Sequence, residues 1–130
     1  MDQELFDKGM EIRRSVLGDA YVDRALAKTN AFNQPLQEMV TQYCWGALWG
    51  REGFSKRDRS VVNLAIIATL NRSHELKAHL RGALNNGLSK DEIAEVLLQV
   101  GVYAGIPAAV DSFRIANETF AEIDAEQADG

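Results

Sequence analysis

Three features of the 130-residue sequence predict an all-α fold. Apolar residues recur at helical spacing in segment after segment, start and stop residues punctuate those segments, and no stretch reads convincingly as a strand. A chain of this length is expected to form one domain, residues 1–130, large enough for a core but too short for separate cofactor and substrate domains.

The elements follow in order. Asp2 to Leu17 carries Leu5, Met10, Ile12, Val16 and Leu17 among charges, with Gly18 as a stop, and predicts an exposed amphipathic helix. Tyr21, Val22, Ala25 and Leu26 predict a short second helix, closed by a turn at Thr29, Asn30 and Asn33. Pro35 suits the first turn of a third helix running to about Trp49. Its apolar face is predicted as Leu36, Met39, Val40, Tyr43, Ala47 and Leu48, with Cys44 within it and buried. Trp45 and Trp49 stand four apart and share a side, which favours a core or subunit-interface role over ligand stacking. The loop Gly50–Phe54 places Arg51 near a pocket mouth, although solvated charge is the usual state of a loop arginine.

Ser55 with Asp58 resembles a cap for a helix reaching about Asn71. That helix is apolar nearly all round, from Val61 to Leu70, and is expected at the centre of the domain or of an oligomer; a buried strand is the competing reading. Ser73 reads as the N-cap of the next helix, which Asn86-Gly87 ends. Ser89 and Glu92 form a capping box ahead of Ile93, Val96, Leu97, Val100 and Val102. Gly105-Ile106-Pro107 breaks that helix and opens the last, which carries Val110, Phe113, Ile115, Phe120 and Ile123. The tail from Glu126 to Gly130 is expected to fray.

Composition narrows the function. A net charge of −5 without a Lys/Arg stripe argues against nucleic-acid binding through phosphates. The longest apolar run, Leu64 to Leu70, is too short to span a bilayer, and the opening segment lacks the pattern of a signal peptide, so no membrane partner and a cytoplasmic address are expected. The single cysteine, Cys44, allows neither an intrachain disulfide nor a CxxC pair.

The chemistry concentrates between Arg59 and Gly87. With a helix starting at Ser73, Glu75 lies in the first turn and His79 one turn on, along the same face. A carboxylate beside an imidazole holds its tautomer and raises its pKa, giving a proton donor or acceptor near neutrality. The competing reading is a surface pair with Glu75 favoured by the helix dipole. His74-Glu75-Leu76-Lys77-Ala78-His79 looks like HExxH, but its histidines are five apart, about 140° around a helix, so no metal site is expected. Asn85-Asn86-Gly87 lacks the surroundings of a phosphate loop.

Several motifs taken together carry a resemblance: Arg59-Ser60, Glu75-Leu76 with His79, Arg81-Gly82-Ala83, Asn86-Gly87, and Tyr103-Ala104-Gly105-Ile106-Pro107-Ala108. From about Pro35 to the end of the last helix the chain resembles the gamma-carboxymuconolactone decarboxylase family. The resemblance implies an all-helical fold shared with alkylhydroperoxidase D-like proteins and assembly of identical chains into trimer-based rings, commonly hexamers. The redox relatives carry Glu, then CxxC, then His; with their His placed on His79, this chain has Glu75 and Arg72 at the two Cys positions and Ser60 at the Glu. Thiol chemistry at that place is therefore excluded.

The implied reaction converts 4-carboxymuconolactone to 3-oxoadipate enol-lactone in aromatic degradation. Loss of CO2 leaves a carbanion conjugated to the lactone carbonyl, so the substrate is its own electron sink and no cofactor is required. The implied roles are His79 as proton donor, Glu75 orienting or charging it, Arg51 holding a carboxylate, Ser60 lining the site, and Trp49 and Tyr103 as walls or hydrogen-bond donors. Arg59, Arg72 and Arg81 compete with Arg51. The alternatives are a noncatalytic helical ring protein that binds a small acid or a partner, and a thiol oxidoreductase acting through Cys44.

Overall fold

The computed structural model describes residues 1–129. The described residues are all-α, in two compact units, Met1–Lys56 and one beginning at Arg57.

The first unit contains α1 (Gln3–Leu17), α2 (Asp19–Ala27) and α3 (Gln34–Met39), the last continuing as a π-helix over Val40–Leu48. Asp2 caps α1 by accepting from the Leu5 N–H at 3.1 Å. Pro35 stands in the first turn of α3, where its missing N–H costs nothing. The π winding is closed by the Trp49 N–H donating to the Cys44 carbonyl five residues back, at 3.0 Å.

That winding overturns the predicted face of this helix. Thr41, Gln42, Trp45, Gly46 and Trp49 point inward, whereas Leu36, Met39, Tyr43, Leu48 and Cys44 are exposed. The wider turn shifts the inward stripe off the 3.6-residue period, and contact with α1 selects which side faces in. At Gly9 a Cβ would lie 1.9 Å from the Thr41 carbonyl oxygen, and at Gly46 one would lie 2.6 Å from that of Leu5, so two glycines let the backbones touch. Trp45 and Trp49 do share a side, with ring centroids 5.1 Å apart. Arg13 is buried, and its Nη1 donates to Gln37 Oε1 at 3.0 Å.

The second unit contains α4 (Lys56–Thr69), whose first residue closes the preceding unit, α5 (Ser73–Asn85), α6 (Lys90–Ala104) and α7 (Ile106–Asp129). Its core gathers Leu64, Ala68, Leu76, Leu80, Ala83, Leu88, Ile93, Leu97, Val100 and Ile115. Both halves of the Ser89/Glu92 capping box are present. The tail does not fray as expected: α7 is helical through Asp129, and Gly130 lies outside the described residues.

Within this single chain α4 is not buried all round: Ser60, Leu64 and Ala68 are buried, while Val62, Ile66 and, just past its end, Leu70 are exposed. Leu98, Val102, Tyr103, Ile106 and Val110 are likewise exposed on α6 and α7. None of the described helices is long and apolar enough to cross a membrane.

Candidate active site

The face carrying Glu75 and His79 is set by how the chain leaves α4. The Asn71 N–H donates to the Ala68 carbonyl at 3.2 Å and the Arg72 N–H to that of Ile67 at 3.2 Å, with Asn71 left-handed at φ 58°. This double closure satisfies the last carbonyls of α4 and leaves one residue before the next helix begins. Arg72 is therefore the N-cap of α5, its carbonyl accepting from the Leu76 N–H at 2.9 Å. Ser73, predicted as the cap, is displaced into the first turn.

α5 buries Leu76, Ala78, Leu80, Gly82 and Ala83. Glu75 lies on the opposite, exposed side, and His79 is half-buried at the boundary. Burial pushes the His79 imidazole below its ordinary pKa, and the charge of Glu75 raises it by less. The expectation of a raised pKa is thus reversed: burial outweighs the charge of Glu75 and favours the neutral imidazole.

At the other end, α5 closes with the Leu88 N–H donating to the Ala83 carbonyl at 2.9 Å and Gly87 at φ 100°. The Asn86 side chain, seven residues on from His79, donates from Nδ2 to Ser60 Oγ at 2.9 Å. Ser60 is buried and engaged by Asn86. The sequence marks Asn86 only as part of a helix stop, a place where Asn is common, and its bond to a residue 26 positions away leaves no local signal.

The remaining residues are distributed more widely. Tyr103 is 86% exposed and borders a cavity of about 430 Å³ between α4 and α6, lined chiefly by Val61, Ala65, Ile66, Val96 and Val100. Glu75, His79 and Ser60 are not among its lining residues. Trp49 and Arg51 belong to the first unit, Trp49 buried against Trp45 and Arg51 exposed, its N–H donating to the Leu48 carbonyl at 3.1 Å. Of the competing arginines, Arg81 is engaged as a fork by Glu126, at 2.8 Å through each of two nitrogens. Among the described residues no group of three or more His, Cys, Asp or Glu side chains could hold a metal ion.

An all-helical protein with a Glu-His pair on one helix face, outside the CxxC pattern, is the class these observations define. A profile of the carboxymuconolactone decarboxylase family matches residues 34–118, and the chain belongs to that family. It is 38% identical over 122 residues to a 4-carboxymuconolactone decarboxylase of Acinetobacter baylyi, covering 94% of this chain and 91% of the relative. It is 37% identical over 119 residues to the nitrosuccinic acid decarboxylase npaB of Metarhizium robertsii, covering 92% and 83%. A 4-carboxymuconolactone decarboxylase of Pseudomonas putida is 51% identical over 45 residues, covering 35% of this chain and 94% of that one.

Proposed function

We propose that this protein decarboxylates 4-carboxymuconolactone to 3-oxoadipate enol-lactone, with His79 and Glu75 moving the proton. The observation that carries the reading is the half-buried imidazole one helical turn from a carboxylate, in a chain of this family. Breaking the bond from the ring carbon to the carboxylate releases CO2 and leaves its electron pair delocalised to the lactone oxygen. A proton delivered to the carbon next to the carbonyl completes the product. The substrate holds the electrons itself, and the protein's work is to seat it and supply that proton.

The neutral resting state of His79 suits this sequence. A dianionic substrate bound beside the imidazole raises its pKa, so the proton is taken up on binding and is available when the carbanion forms. Glu75 adds to that pull. A cation seats a substrate carboxylate, with Arg51 and Arg72 as candidates for it, and Trp49, Tyr103 and Ser60 are candidates for shaping or hydrogen bonding. Ser60 is buried and acts through Asn86, whose side-chain N–H its hydroxyl accepts.

Several copies of this chain, assembled as a trimer-based ring, account for the exposed apolar side chains Val62, Ile66, Val102 and Val110. The working place is the cytoplasm. Light scattering on the purified protein checks the assembly, with a mass of a single chain as the result that refutes it.

Nitrosuccinic acid is the second substrate to weigh, because the relative named for it is nearly as similar. Loss of its carboxylate next to the nitro-bearing carbon also leaves a stabilised carbanion. The high identity to the Pseudomonas putida decarboxylase over a shorter span favours the lactone. Offering both compounds and following CO2 release separates the two. His79→Ala is expected to lower kcat by roughly 100- to 10,000-fold on the preferred compound, the range for a lost general acid. Near-native rates in both His79→Ala and Glu75→Gln would remove the pair.

A further inference from the structure

We infer that Arg72 selects for a dicarboxylate by pairing with the carboxylate that stays on the product. This rests on the reading of the Glu75–His79 face as the place of decarboxylation.

The cations of α5 divide into two groups. Lys77 donates to Glu122 Oε1 at 3.0 Å, and Arg81 binds Glu126 as a fork, so both tie α5 to α7. Arg72 is exposed and, among the described residues, its guanidinium has no hydrogen bond or ion pair. Its backbone is fixed on both sides, the N–H by Ile67 and the carbonyl by Leu76. A pinned Cα with a disengaged cationic side chain differs from the internally paired cations further along the same helix.

The position of Arg72 fits the chemistry. Glu75 and His79 follow it by three and seven residues, which keeps all three on one side of α5 over a rise of roughly 10 Å. That span accommodates a small diacid reached by an arginine from one end and by an imidazole from the other. Glu75 alone cannot seat an anionic substrate, since its charge repels one; a cation is needed on that face to offset it.

The reaction decides which carboxylate the cation takes. The departing carboxylate loses its charge to the ring as the bond breaks. A cation gripping it would hold the ground state more tightly than the transition state and slow the step. The staying carboxylate keeps its charge throughout, so pairing with it stabilises both states alike and lowers KM without changing kcat. A planar guanidinium matches that carboxylate with two parallel hydrogen bonds.

Arg72→Gln is expected to raise KM for the lactone roughly 10- to 100-fold with kcat within twofold, as for loss of a charge-assisted pair. Arg72→Lys recovers part of the loss, and Lys77→Gln leaves KM unchanged. The wild type's preference for the diacid over the same lactone with its acetate arm amidated collapses in Arg72→Gln. An unchanged KM, or a kcat that falls as far as kcat/KM, overturns the proposal. Calorimetry of glutarate against butyrate supplies a readout free of turnover. If the wild type does not turn over the lactone, the decarboxylase reading falls, while tighter binding of glutarate that disappears in Arg72→Gln still supports the selective role of Arg72. Equal glutarate binding in wild type and variant overturns it.

Discussion

Each of the two units of this chain is held together internally by its own kind of packing. In the first, α1 meets the π-helix backbone to backbone at Gly9 and Gly46, and polar side chains such as Thr41, Gln42 and Arg13 are buried there. In the second, aliphatic side chains from α4 to α7 fill a conventional core, and an ion-paired seam of Lys77 and Arg81 with Glu122 and Glu126 joins α5 to α7. Packing through side chains tolerates adjustment, whereas packing through bare backbone does not. Glu75 and His79 stand on the adjustable unit, on a helix whose inner face is anchored by Leu76 and Leu80.

The sharpest way to break the comparison is Gly9→Val. A side chain there meets carbonyl and amide atoms of the π-helix, which cannot rotate away, so the loss is expected at about 4 kcal/mol or more. Urea unfolding followed by circular dichroism measures it; a loss below 1 kcal/mol would mean that the helices separate easily and that the close approach is incidental. Leu97→Ala in the second unit is expected to cost about 3 kcal/mol, as it deletes a fully buried side chain from a core that can partly relax.

What the sequence disclosed follows the same division. In the second unit the capping box at Ser89, the Asn86-Gly87 stop and the inward positions Ile93, Leu97 and Val100 stand as read, because local signals and helical period agree at those positions, whereas Val102 of the same predicted row is exposed. In the first unit the period itself changes. A π winding is set by backbone hydrogen bonding and by the close fit to α1, neither of which leaves a local residue pattern, so the apolar face was assigned to the wrong side. The Ser73 cap failed for a related reason: the closure of α4 through Asn71 and Arg72 had already determined where α5 begins. The Glu75–His79 pairing was legible from spacing alone. The direction of the His79 shift was not, because it depends on burial by residues distant in sequence.

A smaller effect sharpens the picture of the second unit. Ser60→Ala removes the acceptor of the Asn86 side chain, leaving a part-buried amide donor without that bond, and is expected to cost about 1 kcal/mol. If Asn86 links Ser60 to the working face, kcat falls with stability; if the bond serves only the helix end, stability alone falls. Parallel unfolding curves and initial rates separate these outcomes.

The smallest expected effect is a pH dependence of stability at His79. The unfolded imidazole titrates near its ordinary value of 6.5, and burial in α5 lowers that value in the folded chain. The unfolded state therefore binds more protons across the interval below 6.5. The contribution of His79 to stability is fully present above that interval and is lost as pH falls through it towards the folded value. Carboxylates elsewhere add their own acid sensitivity, so the test is a difference: the drop in urea midpoint between pH 7.5 and pH 5 should be smaller in His79→Gln than in the wild type. Glu75→Gln should enlarge the drop, since removing the neighbouring charge lowers the folded pKa further. The same coupling appears in turnover if His79 donates the proton. kcat/KM then declines above the pKa of the free enzyme and kcat above a higher one, because the bound dianion holds the proton on the imidazole. Coincident declines in the two profiles would show that the substrate's charge does not reach His79, and a decline that persists unchanged in His79→Gln would show that the proton comes from another group.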